Sequence, residues 1–383
     1  MAVFPKSLSK KLEQRSAENA LRHLSSPGGL TDFSSNDYLG FASSQAIFNS
    51  AHQYLQARNL TANGSTGSRL ITGNHGLYEL AENAIAHFHQ AESALLFNSG
   101  YDANLGLFSS VPQKGDVVFY DEYIHASIRD GLRLSNAVAY KFSHNDTANL
   151  ENLIKRHRST AAEVYIVVES VFSMDGDCSP LEAVVELALR YNCLVITDEA
   201  HALGVIGSHG EGLAQNLGLE EKVFARVVTF GKALGCHGAA VLGPAALSSY
   251  LVNFARSFIY TTALPPHSLA TLIATYKHLQ EQGITELNKL KNIGSFFITE
   301  AIRLKLDSLF IHSTSAIHCA VVPGNEKVKN ISAVLQANGF NVKAILPPTV
   351  PQGQERLRFC LHSYNTTDEV TGVLNALLLA LRE

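Results

Sequence analysis

The chain has 383 residues, of which 46% are hydrophobic and 17% charged, and its formal net charge is −4. That length and apolar content allow a large core with room for a smaller second domain. The weak negative charge excludes the basic footprint of a nucleic-acid binder and any polybasic membrane patch. The opening residues, Met1-Ala2-Val3-Phe4-Pro5-Lys6, lack the apolar stretch of a signal peptide. No apolar run reaches the ~20 residues of a membrane span. Five cysteines (Cys178, Cys193, Cys236, Cys319 and Cys360) include no Cys-x-x-Cys pair. A soluble, cytoplasmic protein with reduced thiols and no metal site is expected.

In chain order, residues 5–24 place Leu8, Leu12, Ala17, Ala20, Leu21 and Leu24 at helical spacing, and the cluster Ser25-Ser26-Pro27-Gly28-Gly29 is expected to end that helix. From about residue 46, short apolar runs alternate with amphipathic helices. The runs are Ala94–Phe97, Val117–Tyr120, Val164–Val168, Leu194–Thr197, Arg226–Thr229 and Ala239–Leu242. They are continuous, not alternating, which is the pattern of a mostly parallel sheet buried on both faces. Helices are expected at 77–90, 147–158 and 181–191, the first with Leu77, Leu80, Ala81, Ala84, Ile85 and Phe88 on its buried face. After Pro265-Pro266 a long helical region, 267–306, leads to strands at Ala316–Val322 and Arg358–Leu361 and a final helix at 367–382. The expected organisation is an α/β protein: an N-terminal helix and arm over 1–45, a large domain over 46–275 and a smaller α+β domain over 276–383.

Ligands in open α/β sheets sit beyond the carboxyl ends of the strands, so the polar residues that follow the apolar runs carry the chemistry. Lys232 stands in Thr229-Phe230-Gly231-Lys232-Ala233-Leu234-Gly235, between glycines, just after Val227-Val228. A lysine held in such a turn and desolvated presents a neutral amine for carbonyl chemistry; a solvated surface lysine is the plainer alternative. Asp198 and His201 follow Leu194–Thr197, and Asp198 is suited to a cationic ring nitrogen or to capping a helix. The segment Ser170 to Asp177 reads as a polar turn, and His125, after Val117–Tyr120, as a ring that can stack on a flat ligand. Gly100 and Tyr101, after Ala94–Phe97, let a backbone approach a phosphate at a helix start. The loops Gly64–Arg69 and Gly73–Gly76 fit neither the phosphate-loop nor the dinucleotide spacing. An amine, a ring-pairing carboxylate, a stacking ring and a phosphate cradle with Thr229 together describe a site for pyridoxal phosphate (PLP).

The ordered segments Phe33 to Gly40, Gly64 to Gly73, His125-Ala126-Ser127, Val171 to Asp177, Asp198-Glu199-Ala200-His201, Thr229 to Lys232, Tyr260 to Pro266 and Pro347 to Pro351 resemble the α-oxoamine synthases of the fold-type I PLP enzymes over nearly the whole chain. The resemblance implies a seven-stranded, mostly parallel sheet in the large domain. It implies that Lys232 carries the cofactor and moves the substrate's Cα proton, that Asp198 pairs with the pyridine nitrogen, and that His201 bonds the ring hydroxyl. It further implies that His125 stacks on the ring, that Ser173 helps hold it, and that Gly100, Tyr101 and Thr229 bind the phosphate. Thr262 is implied to serve the site of a partner subunit in a homodimer. Arg358 and Asn36 are implied at the amino-acid carboxylate, and Arg22 and Thr349 at the substrate. The implied activity is an acyltransferase reaction that joins L-alanine to a pimeloyl thioester, on CoA or a carrier protein, with loss of CO2, in biotin biosynthesis. Relatives that condense glycine or serine with other acyl groups are the alternatives, and a silent scaffold homologue is one from another class. Two departures stand out: a shortened interval from Arg22 to Asn36, which lacks the usual strand pair, and His237 where a small residue is usual.

Overall fold

A computed structural model describes residues 4–24 and 28–382. The chain divides into two compact units: a large one of residues 36–173 and 178–289, and a small one of residues up to 35, 174–177 and 290–383. The first helix, α1 (Lys6–Ala17), is shorter than its apolar pattern predicts and buries none of its residues. Asn19 takes a left-handed φ of 50°, and the Ala20 N–H reaches back to the Arg15 carbonyl at 2.8 Å. That reverse turn stops the helix before Ser25, Ser26 and Pro27, which lie outside the described residues. A two-residue strand, β1 (Thr31–Asp32), follows.

In the large unit, α2 (Gln45–Ala57) and α3 (Gly76–Phe88) precede the sheet. Its strands are β2 (Ser93–Phe97), β3 (Val117–Asp121), β4 (Val138–Phe142), β5 (Val164–Glu169), β6 (Leu194–Asp198), β7 (Ala225–Thr229) and β8 (Ala239–Gly243). They lie in the order β2-β8-β7-β6-β5-β3-β4. β8 is antiparallel to β2 and β7, and the other neighbours are parallel. Six strands coincide with the continuous apolar runs. β4 was not foreseen: as an edge strand it leaves Val138 and Lys141 exposed, so Val-Ala-Tyr-Lys-Phe never reads as a buried run.

Alternate residues of each strand feed two cores. Tyr165, Val167, Ile196 and Val227 pack with α4 (Gly100–Ser110) and α5 (Ala126–Leu134). Ile166, Val168 and Val195 pack with α6 (Thr147–His157), α7 (Leu181–Tyr191) and α8 (Leu213–Asn216). α9 (Ala245–Phe254), α10 (Arg256–Ile259) and α11 (Pro266–Arg303) follow, and α11 contributes to both units. In α3 the buried stripe is Leu77, Tyr78, Ala81, Ile85 and Phe88. Leu80 is exposed instead, because the helical rotation places it about 100° from the stripe's centre.

The small unit holds β9 (Ile317–Val321), α12 (Asn325–Ala337), β10 (Phe340–Asn341), β11 (Lys343–Ile345), β12 (Arg356–Cys360) and α13 (Thr367–Ala380). β12 runs between β11 and β9, antiparallel to both. The rings of Phe297, Phe310, His318 and Phe359 pack together in its core. β1 pairs in parallel with β10, so residues up to Ser35 group with the C-terminal residues. The units therefore divide at 35/36 and 289/290, where the sequence reading drew its breaks at 45/46 and 275/276. No helix among the described residues is long and apolar enough to cross a membrane.

Candidate active site

The carboxyl ends of β5 and β6 set two acids side by side. Glu169 and Asp198 are register partners on parallel strands, and both are buried. Equivalent positions on neighbouring strands project to the same face, here the one covered by α4 and α5. Asn104, buried on α4, donates through Nδ2 to Asp198 Oδ2 at 2.7 Å and to Ser127 Oγ at 3.1 Å. The Ala200 N–H donates to Asp198 Oδ1 at 2.9 Å. Ser127 Oγ lies 2.7 Å from Nδ1 of His125, the residue that caps α5.

Lys232 lies in a loop after β7 that folds back on itself. Phe230 N–H bonds the Gly238 carbonyl at 3.0 Å, Cys236 N–H the Phe230 carbonyl at 2.7 Å, and Gly235 N–H the Lys232 carbonyl at 2.8 Å. Gly235 has φ +60°, and a Cβ there would stand 2.1 Å from the Ala42 nitrogen, so only glycine fits. The loop delivers Lys232 Nζ to 2.8 Å from His201 Nε2. His201 Nδ1 lies 2.8 Å from Tyr38 Oη, and Tyr38 donates to Asn36 Oδ1 at 3.0 Å. Because Tyr38 gives its hydroxyl proton to Asn36, its oxygen accepts from His201 Nδ1–H. His201 Nε2 is then the atom that accepts from Lys232. His237 is exposed.

At the start of α4, the cap residue Ser99 accepts from Asp102 N–H at 3.1 Å and Ala103 N–H at 3.0 Å. The N–H groups of Gly100 and Tyr101 remain at the helix mouth. A Cβ on Gly100 would stand 3.4 Å from Thr229 Oγ1, closing the space between the helix start and the end of β7. A helix N-terminus beside a hydroxyl favours an anion. With a primary amine and a buried, hydrogen-bonded carboxylate in the same unit, the residues fit PLP.

Electrostatics distinguish the acids and the imidazole. Burial pushes the Glu169 carboxyl well above the usual range, and the nearby Asp198 pushes it further. Burial lowers the pKa of His125, Lys232 adds to the effect, and Asp198 opposes it. Ser173 is buried in the turn after β5, and its N–H and that of His125 face Glu169. Neither Glu169 nor Asn104 was singled out from sequence. One ends an apolar strand and the other lies inside a helix, and only the fold brings them to Asp198.

The remaining expected residues have other surroundings. Thr262 is exposed, and its carbonyl accepts from Asn98 Nδ2 at 2.7 Å. In the small unit, Arg22 Nη2 donates to Thr349 Oγ1 at 3.2 Å, and the buried Arg358 donates to Cys360 Sγ at 3.0 Å. Arg356, two residues earlier, forms a buried ion pair with Asp175 at 2.6 Å. The glycine loops at 64–76 serve structure: Ser65 Oγ donates to the Leu264 carbonyl at 2.6 Å, and Arg69 pairs with Glu82 at 2.5 Å.

The family model described as aminotransferase class I and II matches residues 29–377. The chain belongs to this family, among its α-oxoamine synthases. It is 44% identical to the 8-amino-7-oxononanoate synthase of Emericella nidulans, over 97% of this chain and 94% of that protein. Among solved structures, serine palmitoyltransferase from S. paucimobilis with bound PLP and myriocin superimposes with a TM-score of 0.88 at 25% identity, covering 98% of this chain and 97% of that one. The 8-amino-7-oxononanoate synthase of Francisella tularensis gives a TM-score of 0.78 at 28% identity, covering 92% and 98%. As an α-oxoamine synthase the chain has the fold-type I architecture, whose mostly parallel sheet carries Asp198 and Glu169 at its strand ends.

Proposed function

We propose that this protein is a PLP-dependent acyltransferase that condenses L-alanine with a pimeloyl thioester, giving 8-amino-7-oxononanoate, the free thiol and CO2. The observation that carries the reading is the 44% identity to the Emericella synthase across nearly the whole of both chains.

Lys232 Nζ, Asp198, His125, Ser173, Gly100, Tyr101 and Thr229 would hold the cofactor. Bound PLP supplies an aldehyde and an electron-accepting ring that stabilises negative charge at the amino acid's Cα. Asp198 would face the ring nitrogen, and its two donors, Asn104 and the Ala200 N–H, fix its orientation. Lys232 Nζ takes the Cα proton of L-alanine and later returns one, with His201 Nε2 at 2.8 Å orienting its lone pair. Between those transfers a bond forms from Cα to the thioester carbonyl carbon, the thiolate leaves, and the carboxyl group departs as CO2. We assign Arg358 to the carboxylate of the amino-acid substrate, since a guanidinium matches a carboxylate in charge and planar geometry. Arg22 and Thr349, already hydrogen-bonded to one another, are assigned to the acyl substrate. The working form is taken as a cytoplasmic homodimer in which Thr262 serves the second copy's site.

The higher TM-score to serine palmitoyltransferase, 0.88 against 0.78, favours one second reading, in which serine and a long acyl chain are the substrates. A product assay with L-alanine, glycine and L-serine, each against pimeloyl-, acetyl- and palmitoyl-CoA, decides between them. Preference for L-alanine with pimeloyl-CoA supports the proposal, and preference for serine with palmitoyl-CoA overturns it.

A further inference from the structure

Asn104 has a role that the reaction alone does not assign. Its amide orientation is forced: turned over, Oδ1 would face Asp198 Oδ2 at 2.7 Å, one acceptor against another. Both Nδ2 hydrogens are therefore directed, one to Asp198 and one to Ser127 Oγ. Ser127 Oγ, accepting from Asn104, keeps its own hydrogen for His125 Nδ1 at 2.7 Å. The backbone N–H of Ser127 also donates to that nitrogen, at 3.2 Å. His125 Nδ1 thus accepts from two donors and carries no proton, and the ring's hydrogen resides on Nε2.

We propose that Asn104 is a positioning residue that acts through Ser127 to hold His125 as the neutral Nε2–H tautomer while it orients Asp198. The proposal rests on the PLP reading of the site. A ring stacked on a cofactor whose nitrogen is cationic should itself be uncharged, because two cations face to face repel. Around His125, Asp198 from β6, Asp130 from α5 and Glu169 from β5 are the acidic groups, and Lys232 from the loop after β7 is the cation. Two carboxylates, Asp198 and Asp130, favour protonation of the imidazole. The directed donors on Nδ1 oppose them.

The test is a cycle of the uncharged substitutions Asn104→Leu and Ser127→Ala, because a carboxylate at position 104 would stand 2.7 Å from Asp198 Oδ2 and share a proton with it. Without Asn104 donating to it, Ser127 Oγ can accept as well as donate, and only the Ser127 N–H, at 3.2 Å, still directs a hydrogen to His125 Nδ1. Histidine-selective 15N NMR, assigned with His125→Gln, should show the neutral Nε2–H pattern for wild type near neutral pH. In Asn104→Leu the pKa of His125 should rise by about one pH unit, and PLP should bind at least about tenfold more weakly. Identical His125 titrations in wild type and Asn104→Leu would overturn the proposal. If Asn104→Leu does not fold by circular dichroism, Ser127→Ala decides: it should raise the His125 pKa, and an unchanged pKa would overturn the proposal. Adding Asn104→Leu to Ser127→Ala should raise it no further; a further rise would mean that Asn104 does not act through Ser127. Failure of the wild type to bind PLP would sink the cofactor reading, while the His125 spectra would still test the hydrogen-bond chain.

Discussion

Asp198 and Glu199 are adjacent acids at the end of one strand, yet they belong to different machinery. Asp198 faces the layer of α4 and α5, where Asn104 and the Ala200 N–H hold it beside His125 and Lys232. Glu199 faces the opposite layer and is fully buried. It accepts from Ser170 Oγ at 2.8 Å and from the Ala214 N–H at 2.9 Å; burial raises the pKa of its carboxyl, and the buried Arg226 opposes that rise. Arg226 in turn donates to the His89 carbonyl, and His89 Nε2 meets Tyr276 Oη at 2.9 Å. Gly212 makes room for this cluster, since a Cβ there would stand 2.5 Å from Glu199 Oε2. Alternation along the strand separates a carboxylate aimed at a ligand from one that holds a helix and a loop to the sheet.

Substitutions can break that division. Lys232→Ala should abolish product formation by at least about a thousandfold and remove the visible absorption of the PLP-loaded protein, with the melting temperature little changed; substantial residual turnover would remove Lys232 from the chemistry. Asp198→Asn should lower kcat by about a hundredfold or more with a near-native melting temperature. Glu199→Gln should do the reverse: putting an amide where the carboxylate accepts from Ser170 Oγ and the Ala214 N–H costs about 1–3 kcal/mol of stability, while the folded fraction turns over within about threefold of wild type. Equal losses of activity in both variants, read by kcat and calorimetry, would erase the distinction.

Smaller effects concern pH. Burial depresses His318 to about 4, so the unfolded chain takes up this proton first as the pH falls. The stability tied to neutral His318 is present above about pH 6.5 and declines between there and about 4. His318→Phe should flatten that part of the acid limb in a melting-temperature series. Glu169 works in the opposite sense, because its folded pKa is raised. As the pH rises above the ordinary carboxyl range, the unfolded chain ionises while folded Glu169 keeps its proton, and the cost to stability grows. Glu169→Gln should therefore be stabilising in the cofactor-free protein, by a margin that widens with pH. A margin constant with pH would mean that Glu169 is ionised in the fold.

The sheet was legible in the sequence because burial on both faces writes continuous apolar runs, as in Val164–Val168. β4 was not, because an edge strand needs only part of its surface covered. The end of α1 depended on a left-handed Asn19, which no apolar spacing records. Around the candidate site, Lys232, Asp198 and His201 follow strands and could be read directly. Asn104 could not, since a polar residue within a helix is ordinary until the fold sets it 2.7 Å from a carboxylate. The roles of Asp198 and Glu199 could be separated only once the strand's facing was known.

The pairing of β1 with β10 has a consequence for how the chain is made. The small unit draws on residues up to 35 and on residues 290–383, so its first strand leaves the ribosome long before its partner exists. The large unit, almost wholly encoded between these pieces, can collapse first, with the N-terminal segment waiting as an unpaired end.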